Sequence, residues 1–154
     1  MINNKETIVW KLRSFHDISV NELYDCLQLR QMVFVKEQNC AYIDADGTDK
    51  LSHHLLGYKG GILVAYSRLI PPGVLYEQVS VGRVVTHSHV RQTGIGRTLF
   101  QKSLDECETM FGRQTIKIMA QSYLLKFYES YGFVKTGNEF IEDDIPHYYM
   151  LKSF

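Results

Sequence analysis

The sequence has no excess of charge of either sign, and this excludes one broad class of partner. Its 154 residues carry 17 lysines and arginines against 17 aspartates and glutamates, so the formal net charge at pH 7 is zero. Proteins that hold nucleic acid along a broad surface need a strongly positive face. We therefore expect no nucleic-acid partner, and any anion site in this chain must be local.

Cysteines and long apolar runs are also scarce. The three cysteines are Cys26, Cys40 and Cys107, and their spacing fits neither a zinc site nor a CxxC redox pair. Such usage is typical of a reducing compartment, and we expect a cytoplasmic protein. No apolar run approaches the ~20 residues that span a bilayer, so no membrane partner is expected.

What the chain does contain is enough apolar surface for a core. Hydrophobic residues make up 45% of the sequence, including ten tyrosines and eight phenylalanines, a composition that argues against disorder. The length is typical of one domain, so we predict a single domain over residues 1–154. A monomer and a homodimer both remain open.

The order of periodic segments predicts a mixed α/β protein. The patterns follow one another as strand, helix, three strands, helix, strand, helix and two strands. The strand–helix–strand crossover in the middle predicts one central parallel pair. The other connections predict antiparallel pairing, so the sheet should be mostly antiparallel.

Several boundaries carry recognisable signals. Ser19 opens a capping-box pattern that starts the first helix, and Ser122 is a candidate N-cap for the third. Gly82, inside a strand expected at roughly 78–87, indicates a bulge or a close backbone approach. Residues 141–146, "IEDDIP", have the composition of an acidic loop.

The stretch "VRQTGIGRTLF", residues 90–100, places two glycines in a turn that feeds a helix. Helix N-termini present unpaired N–H groups and the positive end of a dipole, which favour an anion. Gly94 and Gly96 remove side chains that would hold a phosphate off the backbone, and Arg91 and Arg97 can add charge-assisted hydrogen bonds. The pattern predicts a phosphate or pyrophosphate site, although a ligand-free turn fits the two glycines equally well.

Two motifs together resemble the GNAT family of N-acetyltransferases. Residues 91–96, "RQTGIG", match the family signature Arg/Gln-x-x-Gly-x-Gly/Ala after a long strand, and Tyr128 precedes Gly132-Phe133 as in the family's next motif. The segments "LRQMVFVKEQNCAYIDADGTD" and "IPHYYM" resemble the ElaA-type subgroup. The resemblance covers nearly the whole chain and implies the acyl-CoA N-acyltransferase fold, with helices on both faces of the central sheet.

The resemblance implies acetyl-CoA as the acyl donor and an amine as the acceptor. In folds of this kind the pyrophosphate lies on the glycine turn, and the pantetheine pairs with the preceding strand. The residues implied in donor binding are Val84, Val85, Thr86, Arg91, Gln92, Thr93, Gly94, Ile95, Gly96 and Arg97. A backbone amide near Val84 or Val85 is then placed to stabilise the developing oxyanion.

Acyl transfer to an amine needs few side chains: the amine must arrive neutral or lose its proton on site, and the departing thiolate can be reprotonated. The resemblance gives this proton donation to Tyr128, although an ordinary core aromatic has the same pattern. Glu37, just after the first helix, is the first candidate base, acting through a bound water. His147 and Glu142 are weaker candidates, and each of these residues also fits a structural or solvated role.

The remaining polar residues indicate no metal centre. His87 and His89 could share a face, but two ligands without a third do not make a metal site, so none is predicted. Acidic side chains could attract a cationic acceptor, although solvated loops explain most of them equally well. They are Glu37, Asp44, Asp46, Glu142, Asp143 and Asp144.

Two other functions fit the same fold. One is a CoA-binding or sensing protein that keeps the glycine turn but has no catalytic activity. Loss of Tyr128 or of the bulged strand would have indicated such a protein, and neither is lost. The segment "LRQMVFVKEQ", residues 29–38, also resembles the acyl-homoserine-lactone synthases, which use longer acyl donors. The acceptor is left open, because acceptor pockets are built from loops that differ between relatives.

Overall fold

Within residues 6–154, which the computed structural model describes, the strands form two antiparallel sheets. In chain order the strands are β1 Val9–Ser14, β2 His53–Lys59, β3 Ile62–Ile70, β4 Ser80–Thr86, β5 Ile116–Gln121, β6 Val134–Glu142 and β7 Ile145–Lys152. One sheet has the order β1-β2-β3-β4 and the other the order β5-β7-β6.

The helices are α1 Val20–Arg30, α2 Ile95–Phe111 and α3 Leu125–Glu129. The predicted capping box is confirmed. The Glu22 N–H donates to Ser19 Oγ at 3.0 Å, and the Ser19 N–H donates to the Glu22 carboxylate at 3.0 Å. This reciprocal pairing satisfies two amides that the helix itself cannot, so α1 begins where the sequence indicates. In residues 6–154 no helix is long and apolar enough to cross a bilayer.

The first helix continues past Arg30 as π-helical turns over Gln31–Glu37. Here the N–H of Gln38 donates to the carbonyl oxygen of Val33, five residues earlier, at 3.0 Å. The helical segment therefore extends to Glu37, but its last turns are wider than those of an α-helix. Such turns are uncommon and often occur at functional sites. This one ends at Glu37, the first candidate base.

Helices cover both faces of the four-stranded sheet, as predicted. Side chains alternate between the two faces along β3. Tyr66 is buried in a cluster with Cys26 and Leu29 of α1, whereas the neighbouring Ala65 is buried in a cluster with Leu99 of α2. The core therefore lies on both sides of β3, and the predicted mixed α/β fold is confirmed.

The two sheets meet at one parallel bridge, between Val79 and Ile116. At this point the N–H of Lys117 donates to the carbonyl oxygen of Val79 at 2.8 Å. The predicted central parallel pair is therefore real but short, since no ladder joins β4 to β5 elsewhere in the described chain. Beyond the bridge the two strands diverge and leave a gap between the sheets.

A bulge in β4 accompanies this divergence. Between the pairs Arg68–Gly82 and Tyr66–Val85, two residues of β4 lie opposite one residue of β3. The bulge that Gly82 indicates is thus confirmed. The first of these two β4 residues, Arg83, has a φ of 49°. A bulge bends its strand and re-aims the residues that follow it.

Two local predictions are wrong. Ser122 does not cap α3, because its hydroxyl donates to Glu139 Oε2 of β6 at 2.9 Å. Residues 141–146 are not an acidic loop, because β6 and β7 extend into this segment and only Asp143 and Asp144 form the turn. In the first case a hydrogen bond to β6 overrides the local signal, and in the second case pairing within the β6–β7 hairpin does.

Candidate active site

A cleft of about 490 Å³ lies in the gap between β4 and β5. One wall is the bulged part of β4, and the opposite wall comes from β5 and α3. The π-helical segment and the β6–β7 turn close its sides. The cleft brings together the three catalytic candidates Tyr128, Glu37 and His147, although they lie on three different elements.

The glycine turn at the start of α2 leaves several backbone amides without partners in the helix. Gly94 is the N-cap, its φ of 86° is in the left-handed region, and no described heavy atom lies within 4 Å of where a Cβ would be. The first intrahelical bond runs from the Thr98 N–H to the Gly94 carbonyl at 3.1 Å. The N–H groups of residues 95–97 therefore have no partner within the helix, as a phosphate site requires.

The strand that leads to this turn offers a backbone edge. On one side β4 pairs with β3, and on the other side no strand in residues 6–154 pairs with it beyond the Val79–Ile116 bridge. Val84, Val85 and Thr86 line the cleft along this edge. The edge can therefore accept an extended ligand that hydrogen-bonds like an added strand.

Arg91 lines the cleft and pairs there with Glu37. Its two terminal nitrogens donate to both carboxylate oxygens of Glu37, with Nη2 to Oε2 at 3.0 Å. Nη2 also donates to the Thr86 carbonyl at 3.2 Å. The hydrogen bond and charge of Arg91 lower the pKa of Glu37. Both side chains are over a third exposed, so this pair is weak and exchangeable.

Tyr128 is held by its ring and is free at its hydroxyl. It is 9% exposed and packs edge-to-face on Phe100 and Phe127, with ring centroids 5.1 and 5.2 Å apart. Burial raises the pKa of this phenol, so it keeps its proton at neutral pH. Among residues 6–154 no hydrogen-bond partner reaches its oxygen, which therefore remains available in the cleft.

His147 is fixed in one tautomer. Its Nδ1 lies 2.6 Å from the carbonyl oxygen of Ile145, and a carbonyl can only accept, so Nδ1 carries the hydrogen. The ring is 6% exposed and stacks on Phe140 at 5.9 Å between centroids. In the neutral ring Nε2 is therefore the basic nitrogen. A buried imidazole that lines the cleft in this tautomer can accept a proton.

Beside the cleft lies a buried ion network that sequence reasoning missed. Arg30 is fully buried and donates to Asp44 at 2.6 Å and to Asp49 at 2.8 Å. Arg68 donates to Asp46 at 2.8 Å and to Asp49 at 2.9 Å. The three aspartates lie close together in residues 44–49, "DADGTD", a composition that by itself is typical of a solvated loop. Their partners come from distant elements and could not be read from that segment.

This network corrects one expectation about the acceptor. Asp44 and Asp46 are neutralised by arginines and cannot attract a cationic substrate, contrary to the sequence-based suggestion. Glu142 and Asp143 line the cleft at the β6–β7 turn, and no ion pair involves either of them in the described part of the chain. Within residues 6–154 no three His, Cys, Asp or Glu side chains group as metal ligands would.

Comparison with known proteins identifies the family. The family model for the "Acetyltransferase (GNAT) domain" matches residues 31–154. This chain belongs to the GNAT family. Protein ElaA of Escherichia coli is 38% identical to it over 147 residues, covering 94% of this chain and 96% of ElaA. A UPF0039 protein of Synechocystis sp. is 39% identical over 145 residues, which are 94% of each chain.

Solved structures agree with this GNAT assignment. An acyl-CoA N-acyltransferase from Pseudomonas aeruginosa superimposes with a TM-score of 0.92 at 38% identity, covering 96% of this chain and all of that one. The crystal structure of Escherichia coli ElaA gives a TM-score of 0.90 at 37% identity. The resemblance to the GNAT family and its ElaA-type subgroup is confirmed. By family and fold, the chain is an acyl-CoA-dependent transferase.

Proposed function

We propose that this chain transfers an acetyl group from acetyl-CoA to a primary amine, by direct attack of the amine on the thioester. The observation that carries the proposal is that one cleft is lined by the bulged edge strand β4 and by Tyr128, and that β4 leads through Arg91, which also lines this cleft, to the helix N-terminus at Gly94. Residues 1–154 act as one catalytic domain. The acceptor is a small molecule or a peptide.

The donor is held mostly by backbone groups. The amides of residues 94–97, with Gln92, Thr93 and the side chains of Arg91 and Arg97, receive the pyrophosphate. The free edge of residues 84–86 pairs with the pantetheine. When bound, acetyl-CoA supplies the activated acyl group. The residues present fit this role, because the N-terminal amides of α2 lack partners within the helix and a Cβ at residue 94 would meet open space.

The chain then stabilises charge and moves two protons. An amide of Val84 or Val85, turned by the bulge, donates to the oxyanion as the C–N bond forms. Tyr128 protonates the sulfur as the C–S bond breaks, which is consistent with a buried phenol that keeps its proton. The proton lost by the amine goes to a base in the same cleft.

Two side chains compete for the role of base. Glu37 is the first candidate and would act through a water, but its pairing with Arg91 lowers its pKa and weakens it as a proton acceptor. His147 has Nδ1 committed to a carbonyl and Nε2 left to accept. Separate Glu37→Gln and His147→Gln variants distinguish them: the base is the residue whose loss slows turnover without weakening donor binding.

The decisive experiment measures release of free CoA. Polyamines, aminoglycosides, amino acids and peptide N-termini are offered as acceptors, each with acetyl-CoA and with octanoyl-CoA. Amine-dependent release from acetyl-CoA supports the proposal. Release from octanoyl-CoA alone would replace it with transfer of a longer acyl chain. Tight binding of acetyl-CoA without release with any acceptor would favour a CoA-binding protein.

A further inference from the structure

The bulge of β4 contains a residue in a conformation that its side chain disfavours. Arg83 has a φ of 49°, in the left-handed region that residues with a Cβ seldom adopt. The residue before it is Gly82, which imposes little conformational preference on the chain. A backbone strained in this way persists only where surrounding contacts hold it. The contacts that hold residue 83 come from outside the sheet.

Arg83 is anchored to the loop that connects the π-helical segment to β2. Its Nε donates to Asp44 Oδ1 at 2.7 Å, and its Nη2 donates to the Asp44 carbonyl oxygen at 3.1 Å. Nη2 also contacts Asp46 Oδ2 at 3.4 Å, and the guanidinium lies 5.7 Å from the ring centroid of Tyr42. These contacts use the rigid planar geometry of the guanidinium as well as its charge, and a lysine cannot reproduce that geometry.

Asp44 is itself immobilised, so it is a firm anchor. Arg30, which is fully buried, donates Nε to Asp44 Oδ2 at 2.6 Å and Nη2 to the Asp44 carbonyl at 3.0 Å. The Tyr42 hydroxyl donates to Asp44 Oδ1 at 3.0 Å. The position of Arg83 is therefore set by α1 and the following loop, although its backbone belongs to the cleft wall.

We propose that Arg83 is a positioning residue: through Asp44 it holds the bulge of β4, and the bulge aims an amide of Val84 or Val85 at the reacting carbonyl. This inference rests on the proposed function, which gives that amide an oxyanion to stabilise. Arg83 lines the cleft, but its guanidinium is committed to Asp44. The glycine turn at residues 91–97 is a separate element, so loss of Arg83 affects turnover more than donor binding.

Arg83→Gly is the sharpest variant, because glycine tolerates the left-handed conformation and the substitution removes only the side chain. We expect kcat to fall at least about tenfold while the KM for acetyl-CoA changes little. Free guanidinium, at non-denaturing concentrations, should restore part of the lost kcat by refilling the site on Asp44. Arg83→Lys should stay impaired. Arg113→Gly, at an exposed position outside the cleft, is the matched control and should respond like the unmodified chain.

Amide hydrogen exchange tests the same claim without any substrate. Arg83→Gly should accelerate exchange at Val84 and Val85, and guanidinium should slow it again, whereas α2 stays protected. Unchanged exchange, or full activity in both Arg83 variants, would overturn the positioning role. Absence of transferase activity in the unmodified chain would instead count against the proposed function, and the exchange result would still decide what Arg83 does to the bulge.

Discussion

The two walls of the cleft hold their candidate functional groups by different physical means. In the β4 wall the group with a proposed role is the backbone, and it is fixed by buried charges: Arg83 binds Asp44, which Arg30 holds from the other side. In the opposite wall the proposed catalytic group is a side chain. Tyr128 is fixed by aromatic packing on Phe100 and leaves its hydroxyl unbound in the described chain.

This difference predicts how much stability the protein loses when a residue in each wall is replaced. A buried ion network tolerates the loss of a partner badly, because the remaining charges have no water to compensate them. An aromatic cluster loses stability gradually, in proportion to the contacts removed. In the β4 wall, directional hydrogen bonds between charged groups therefore hold the backbone in one geometry. In the opposite wall, the ring of Tyr128 packs on other rings without any polar contact in the described chain, so its hydroxyl stays free for its proposed role.

The largest effect should come from breaking the charged wall. Arg30→Met leaves three clustered carboxylates to share two guanidinium groups, and we expect a loss of about 3–5 kcal/mol in the free energy of unfolding. Phe133→Leu in the aromatic wall should cost under about 1.5 kcal/mol. Urea unfolding followed by Trp10 fluorescence measures both. Equal losses would erase the distinction between the walls.

Next in size is the donor turn at the end of the β4 wall. Acetyl-CoA should raise the melting temperature, since a ligand that binds only the folded state stabilises it. Gly94→Val should abolish that shift, because a side chain would occupy the phosphate position. Gly47→Val controls for backbone strain, because Gly47 has a φ of 85° and a ψ of −20°, close to the 86° and 0° of Gly94, and equally open surroundings. A shift retained in Gly94→Val would contradict the phosphate site.

Glu37→Gln tests the side of the cleft between the two walls. If this carboxylate takes the amine proton, turnover should fall by about 10² while acetyl-CoA affinity is unchanged. Steady-state kinetics and calorimetric binding separate the two quantities. Glu22→Gln is a matched control, since Glu22 also pairs with an arginine, at 3.3 Å, but outside the cleft. Undiminished turnover would remove Glu37 from the mechanism and leave His147 as the base.

Tyr128→Phe removes the hydroxyl of the aromatic wall and keeps its ring. We expect kcat to fall at least tenfold, or ~1.4 kcal/mol of barrier, with little change in CoA binding or stability. The defect should shrink for thioesters whose thiolates leave more easily. Tyr58→Phe, which loses a 2.8 Å bond to Asp25 away from the cleft, should lower stability and not turnover. An equal defect for all leaving groups would point to donor positioning instead of proton transfer.

The smallest effect concerns acid stability of the charged wall. Burial raises the pKa of Asp46, but hydrogen bonds and charge from Arg68 outweigh it and hold the pKa at about 2. The unfolded chain binds this proton near pH 4, so the folded state gains stability as pH rises from 2 to 4 and loses it as pH falls. Asp46→Asn should flatten the pH dependence of unfolding in that window. An unchanged slope would mean that Asp46 adds nothing to the network.

Much of the fold followed from short stretches of sequence. The capping box at Ser19, the bulge near Gly82 and the glycine turn at Gly94 all appear where their local chemistry indicates. Each of these signals depends on a few neighbouring backbone groups. The motifs that carry the family resemblance are of this local kind as well, which is why the fold could be predicted from residues alone.

Only the tertiary structure decided which side chains pair around the cleft. The pairing of Arg91 with Glu37 spans 54 residues, and the anchor of Arg83 on Asp44 spans 39. No periodicity or composition encodes such contacts, because they depend on which distant elements meet when the core closes. The segment 141–146 shows a different limit: its composition indicates a loop, but pairing between the neighbouring strands β6 and β7 makes it a hairpin. Local chemistry determined the elements of this protein, and burial of the shared core determined which of their side chains meet.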